Sequence, residues 1–335
     1  MTTSEATRTS PETLTPGVGE AREWFSGRTN GLIISFTLLF CVLAVASPTF
    51  LSGYTMYVLG RQVAFCVLIA LAQAVCLVVG GMNLSVGAIG SLATVMLGLC
   101  LDPWRLSPWL AVPATLAFGC ASGLANGWLI TRLRIDSFIV TISMMFFYMG
   151  LRSGISGGQP YAVPDSFTFV GQRAVLGVPW VLIIAGLLLA AMGAAFNYTV
   201  FGRRLIATGS NLNAARLAGI PTDRAIVWAN VLSGFFSALA AVLWASQLGT
   251  AAPETGDTWL IISFAVAIIG GTGLSGGVIS AFGIFMGAAI FMLIKHGLVE
   301  LKANPYFANA FLGALILLTV VVDRVREIWG GRREA

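Results

Sequence analysis

The sequence predicts an all-α, polytopic membrane protein of about ten transmembrane helices with both termini in the cytoplasm. Three observations carry that expectation. Of 335 residues, 57% are hydrophobic and only 10% charged, with a mean hydropathy of +0.87, so the chain has too little charge to coat a soluble core of this size. The apolar residues fall in long continuous runs. The basic residues are unevenly distributed between the loops that separate those runs.

About 20 apolar residues are needed to span the hydrocarbon as a helix. Apolar runs stand at roughly 31–50, 56–79, 84–101, 109–130, 137–155, 175–198, 225–248, 259–270, 277–298 and 306–323. The run at 259–270 is too short to span unless it extends into the glycines that follow. Backbone in lipid must pair internally, which forces helices or a closed barrel. Continuous rather than alternating apolar patterning excludes the barrel. Residues 1–30 are polar, rich in Ser, Thr and Pro, and read as a disordered cytoplasmic tail. The permease domain would run 31–326, with a second cytoplasmic tail at 327–335. The first run is too long for a secretory signal and should remain as a helix.

Orientation follows from Arg and Lys. With the N-terminus inside, 13 of the 19 basic residues fall on the cytoplasmic side, including Arg132, Arg134, Arg203, Arg204, Arg216 and Arg224. Arg105, Arg152, Arg173 and Lys302 fall outside, while Arg61 and Lys295 lie within apolar runs. The net charge of +5 thus reflects topology, and no basic, aromatic stripe points to nucleic acid. The five cysteines lie in apolar runs without metal-ligand spacing, as buried thiols acting as small hydrophobes would.

Two glycine-rich segments share the pattern Gly-Gly-x-x-Leu-Ser-x-Gly: Gly80-Gly81-Met82-Asn83-Leu84-Ser85-Val86-Gly87 and Gly270-Gly271-Thr272-Gly273-Leu274-Ser275-Gly276-Gly277. Each lies between two apolar runs. One reading makes them unwound backbone beside a transport path; the other makes them sites of close helix packing through small residues. For the path, Gln73, Asn83 and Ser85 cluster near the first segment, with Gly80, Gly81, Gly270, Gly271 and Ser275 in the breaks. Asn126, Ser143, Asn230, Ser233 and Gln247 are further polar side chains in or beside the runs, each equally able to bond a neighbouring helix.

Between the runs at 175–198 and 225–248 lies a polar, basic segment, Tyr198 to Arg224. Asn211-Leu212-Asn213-Ala214-Ala215-Arg216-Leu217-Ala218 within it suits a short helix parallel to the membrane, ended by Gly219 and Pro221. A passive channel has no use for such a surface; a cytoplasmic partner does. Arg203 and Arg204 are candidate lipid- or partner-facing anchors, with simple positive-inside anchoring as the plainer reading. On the other side, Arg152, Arg173, Gly157-Gly158-Gln159-Pro160 and the loop 249–258 with Glu254 and Asp257 present charge either to solvent or to an extracytoplasmic protein.

Taken in order, Gln62-Val63-Ala64, the first glycine segment, Asn126-Gly127-Trp128-Leu129-Ile130-Thr131-Arg132-Leu133-Arg134, Ser137-Phe138-Ile139-Val140-Thr141, Gly157 to Pro160, Phe201-Gly202-Arg203-Arg204, Ala214 to Ile220 and the second glycine segment resemble the membrane subunit of ribose-type ABC sugar importers, in the branched-chain permease superfamily. The resemblance runs from about residue 31 to Arg326. It implies two permease subunits, identical or different, a cytoplasmic ABC ATPase, an extracytoplasmic solute-binding protein and a location in the bacterial inner membrane. It also implies that 199–224 receives force from the ATPase through Arg203, Arg204, Asn211, Asn213, Ala214, Ala215, Arg216 and Gly219. The chain departs from the family where Asn83 replaces the usual Asp, and where Asp136-Ser137 stands near a usual Pro.

No Gly-x-x-x-x-Gly-Lys-Ser/Thr loop is present, so ATP is expected on a partner, with no catalytic residue and no cofactor or metal in this chain. The fourteen acidic residues read as tails, loops and helix ends, and the sole histidine, His296, lies near a helix end, which disfavours a proton relay. A stand-alone secondary transporter or channel for a small polar solute is the alternative; it leaves 199–224 without a purpose.

Overall fold

The computed structural model describes the backbone of residues 18–300 and of the isolated residues 310, 313 and 314, with side chains from Thr29 onward. Apart from those three residues, the last apolar run, 306–323, lies outside that description, as do the tail at 327–335 and residues 1–17. In chain order the elements are α1 (Val18–Ala46), α2 (Gly53–Leu77), α3 (Val86–Leu101), α4 (Pro108–Leu133), α5 (Ser137–Ser156), β1 (Tyr161–Ala162), α6 (Asp165–Gln172), β2 (Ala174–Val175), β3 (Val178–Pro179), α7 (Trp180–Tyr198), α8 (Val200–Ser210), α9 (Leu212–Leu217), α10 (Thr222–Leu248), β4 (Thr250–Ala251), α11 (Trp259–Ile269) and α12 (Ala281–Glu300).

Among the described residues, seven helices are long and apolar enough to cross a membrane: the Thr29–Ala46 part of α1, then α2, α4, α5, α7, α10 and α12. The sequence marked ten runs; the last of them is not among the described spans because it lies outside the described residues, and two others fall short for local causes. Helix α3 has 16 residues, about 24 Å of rise, and α11 has 11 residues, about 16 Å; both are cut short by the glycine segments and fall below the ~30 Å core. The run at 175–198 loses its start to a hairpin, since β2 pairs with β3 through Val175 and Val178, and Leu176 and Gly177 turn there with φ of 52° and 83°. Helix α7 then begins after Pro179, which caps it.

Side chains set the helix boundaries. Ser52 accepts from the Thr55 N–H at 3.2 Å to start α2, and Asp136 accepts from the Phe138 N–H at 2.8 Å to start α5. The acidic residue that departs from the family pattern is therefore an N-cap. Gly157 and Gly249 close α5 and α10 in the left-handed conformation, as C-terminal glycines do.

At the centre stands α2, buried from Val63 to Leu77 and packed against α7, α10, α11 and α12. Helix α10 crosses α4 most closely of all. On α4, Gly119, Gly123 and Gly127 recur every four residues and face Gly234, Asn230 and Val227; a Cβ on Gly123 would lie 2.1 Å from the Asn230 carbonyl oxygen. Small residues at this spacing let two backbones touch, the main source of helix association in a solvent as apolar as the side chains. Lipid-facing positions explain the exposed apolar residues of α1, α4, α5 and α7, such as Val45, Trp109, Phe146 and Leu187. Of the cysteines expected to be buried, Cys41 is exposed on α1 and Cys120 is half-buried on α4, because both helices lie at the periphery.

Gly123→Val should push α4 off α10 and cost about 1–3 kcal/mol, lowering the melting temperature in detergent. Gly186→Ala, where a Cβ meets nothing within 4 Å, should leave it unchanged or higher.

Candidate functional site

The two glycine segments, far apart in sequence, meet at one point, and the 199–224 segment meets them there. Helix α2 ends at Val78, whose carbonyl accepts from the Gly277 N–H at 2.9 Å. The last turn of α8 rests on the same spot: a Cβ on Gly209 would lie 1.9 Å from the Val78 oxygen and 2.7 Å from the Gly277 nitrogen. Gly276, at φ 87°, lies against Gly80, and Gly277 lies against Ser210. The carbonyl of Ser275 also faces Gly80. Three strands of backbone thus touch with no side chain between them.

Gly81 is held back onto α2 by its N–H bond to the Cys76 carbonyl at 3.1 Å. At the other break, Gly271 and Thr272 donate to Ile268 and Ala267, each at 2.9 Å, closing α11. Gly270 packs on Gly283 of α12. The backbone is unwound at these segments, and their glycines are where segments pack, as the close-packing reading expects.

The segment itself is helical. Thr199 caps α8 by accepting from the Gly202 N–H at 3.1 Å, and Asn211 caps α9 by accepting from the Ala214 N–H at 3.0 Å. Gly219, at φ 78°, turns the chain into α10. Arg203, Arg204, Asn211, Asn213 and Ala214 are exposed, whereas Ala215 is buried. Arg216 is committed within the chain, donating to Thr222 Oγ1 and Asp223 Oδ1 at 3.1 Å each, so it clasps α9 to the first turn of α10. The next residue, Leu217, is 91% exposed, an apolar side chain the sequence did not single out.

Above the junction, Asn83 and Ser85 organise a buried polar chain. Ser85 donates to Asn83 Oδ1 from its N–H at 2.9 Å and its hydroxyl at 2.6 Å. Asn83 Nδ2 donates to Ser233 Oγ of α10 at 2.8 Å, and Asn126 Nδ2 of α4 donates to Ser85 Oγ at 2.8 Å. The Tyr148 hydroxyl of α5 reaches the Ser122 carbonyl at 3.0 Å and Asn126 Oδ1 at 3.3 Å. The first break is tied to three helices without a formal charge. Gln73 does not join this chain: it is fully buried on α2 and its amide has no hydrogen-bond partner among the described residues. Ser143 bonds within its own helix, and Asn230 Nδ2 bonds the Ile226 carbonyl.

Of the charges read at the end of the bundle opposite α8 and α9, Asp257, Glu254 and Arg173 are exposed and Arg152 is not. Arg152 is buried and pairs with Asp257, because the loop after α10 turns back into the bundle. Glu254 and Gln159 stay exposed, and the Arg173 guanidinium stacks on Phe169 at 4.3 Å.

A bundle of membrane-capable helices, two unwound glycine segments in contact and an amphipathic segment seated on both define a polytopic membrane permease. Over residues 55–320 the chain matches the family described as branched-chain amino acid transport system / permease component, and it belongs to that family. The L-arabinose transport system permease protein AraH of Escherichia coli (strain K12) is 30% identical over 318 residues, covering 93% of this chain and 97% of the relative. The ribose import permease protein RbsC of Bacillus subtilis (strain 168) is 31% identical over 89% of this chain and 93% of its own length. The autoinducer 2 import system permease protein LsrC of Photorhabdus luminescens is 30% identical over 87% of each. No solved structure matches the chain.

Asn83→Leu should strand Ser85 and Ser233 and cost about 1–3 kcal/mol for each donor or acceptor left unpaired. Asn83→Asp, which still accepts from Ser85 and can accept from the Ser233 hydroxyl, should preserve the fold. Thermal unfolding of the detergent-solubilised protein separates the two variants.

Proposed function

We propose that this chain is the membrane subunit of an ATP-driven ABC importer that carries a monosaccharide or similar small polar solute into the cytoplasm. It would sit in the bacterial inner membrane with both termini cytoplasmic. Its partners would be a cytoplasmic ABC ATPase, an extracytoplasmic solute-binding protein and a second permease subunit. The observation that carries this reading is the seating of α8 on both glycine breaks at Gly209. A surface segment that touches both unwound glycine stretches is placed to move them. The arabinose, ribose and autoinducer 2 permeases among its relatives support the solute class.

The chemistry agrees. The sequence has no phosphate-binding loop and the polar chain at Asn83 is neutral, which supports placing the energy source on a partner. ATP binding would draw the partner ATPases together. Helix α9, clasped by Arg216 to α10, would receive that displacement through Asn213, Ala214 and Leu217, and α8 would pass it to the breaks. Backbone contact without an intervening side chain transmits displacement with little give, because packed protein is bistable rather than soft.

Affinity purification of the chain from its native membrane should recover an ATPase; recovery of the chain alone in mild detergent with ATP present would favour a stand-alone transporter. Replacing Ala214 and Leu217 by Asp should abolish co-purification of the ATPase while leaving the melting temperature of the chain unchanged. Gly209→Ala should leave the ATPase bound, since α9 is untouched, yet lower solute-stimulated ATP hydrolysis about tenfold. Unchanged stimulation in G209A would remove the junction from the mechanism.

A further inference from the structure

The chain between α10 and α11 does not stay at the rim of the bundle. After β4 pairs with β1 through Ala251 and Tyr161, a 3-10 turn at Pro253–Gly256 settles onto α3. The Gly256 N–H donates to Ser91 Oγ at 2.9 Å. Gly87 and Gly256 touch backbone to backbone, a Cβ on either falling within 2.2 Å of the other's carbonyl oxygen. The buried ring of Trp259 covers Gly90, where a Cβ would lie 2.4 Å away.

One side chain fastens this turn. Arg152, near the end of α5 and 9% exposed, donates from Nη1 to Ser91 Oγ and to the Pro253 carbonyl at 2.9 Å each. It also grips both carboxylate oxygens of Asp257. The Asp257 side chain is 44% exposed. The two partners therefore differ in what release costs them. Asp257 can return to water, while Arg152 would be left buried against neutral acceptors, a strongly unfavourable state. Such a pair holds firmly and still has a way to open.

Asp257 lies two residues before α11. That helix is a strut of about 16 Å, packed on α2 and α12. Its far end runs through Gly270 and Gly271 to Gly276 and Gly277, which sit on Val78 and Gly209. One end of the strut is fastened by Arg152, and the other rests on the junction that α8 touches. We propose that the Arg152–Asp257 pair is a releasable catch that holds α11 in its resting position at the end of the bundle opposite the ATPase-docking segment. Displacement arriving at Gly209 moves α11 only when the catch opens, so Arg152 and Asp257 are positioning residues that set the threshold for transport. This rests on the importer reading above.

The test uses the complex purified with its ATPase from the native membrane and reads ATP hydrolysis without solute or binding protein. Asp257→Asn should raise this resting rate about tenfold, and Asp257→Glu, which keeps the charge, should hold it at the wild-type value. Ser91→Ala removes the shared acceptor while leaving the charges paired, and should raise the rate by a smaller factor. It serves as the deciding variant if Asp257→Asn lowers the yield. A residue with only a structural role lowers yield and rate together and never raises the resting rate. Wild-type resting rates in folded Asp257→Asn, or in Ser91→Ala where the first does not assemble, overturn the catch. Absence of an ATPase from the wild-type complex overturns the importer reading instead.

Discussion

Backbone in a hydrocarbon solvent has no water to bond, so each unwound stretch must find its partners in protein. This chain carries two such stretches, after α2 and after α11, and much of its architecture covers them. They cover one another through the Gly277 N–H and the Val78 carbonyl. Met82 donates its N–H to Ser137 Oγ at 3.1 Å, and its carbonyl accepts from Thr141 Oγ1 at 3.3 Å. Asn83 and Ser85 bond α10 and α4. Removing any of these would expose polar groups that the membrane cannot satisfy.

The same coverage bears on the proposed mechanism. Because the breaks are closed by backbone contact, the last turn of α8 must be glycine where it meets them, and α8 is thereby joined to the end of α2 and the segment after α11. Because α3 and α11 are too short to span, their inner ends stop inside the protein, among side chains that can hold or release them. Arg152 acts at one such end. Long helices such as α4 and α10 are locked together through Gly119, Gly123 and Gly234.

The electrostatics are spare. Charge gathers at the α8–α9 end, where Arg216 clasps α9 to α10, and at the opposite end, where Arg152 holds Asp257. Between them the polar chain from Ser233 to Tyr148 is neutral. Energy supplied from outside the chain suits that distribution, since no titratable relay connects the two ends among the described residues. Gln73 remains the one fully buried amide on α2 without a partner there, in the helix that touches both short struts.

The amino-acid sequence by itself determined the class. Runs of apolar residues compel helices in lipid, basic residues mark one side, and the glycine segments and the Asn211–Gly219 helix are written as local patterns with local causes. It did not determine which runs span, because α3 and α11 are bounded by breaks whose depth depends on what covers them, and because Leu176 and Gly177 turn the start of a run into a hairpin. Asn83 and Ser85 were legible as a pair, two residues apart; Ser233, Asn126 and Tyr148 were not assembled with them, since helix rotation decides which polar residues face one another. Arg152 read as an exposed loop charge although it is buried on α5, because exposure is not encoded in identity. Only the tertiary structure turned the 253–257 segment back onto Gly87 and Ser91, where the absence of a Cβ let two backbones meet and a buried guanidinium required a carboxylate.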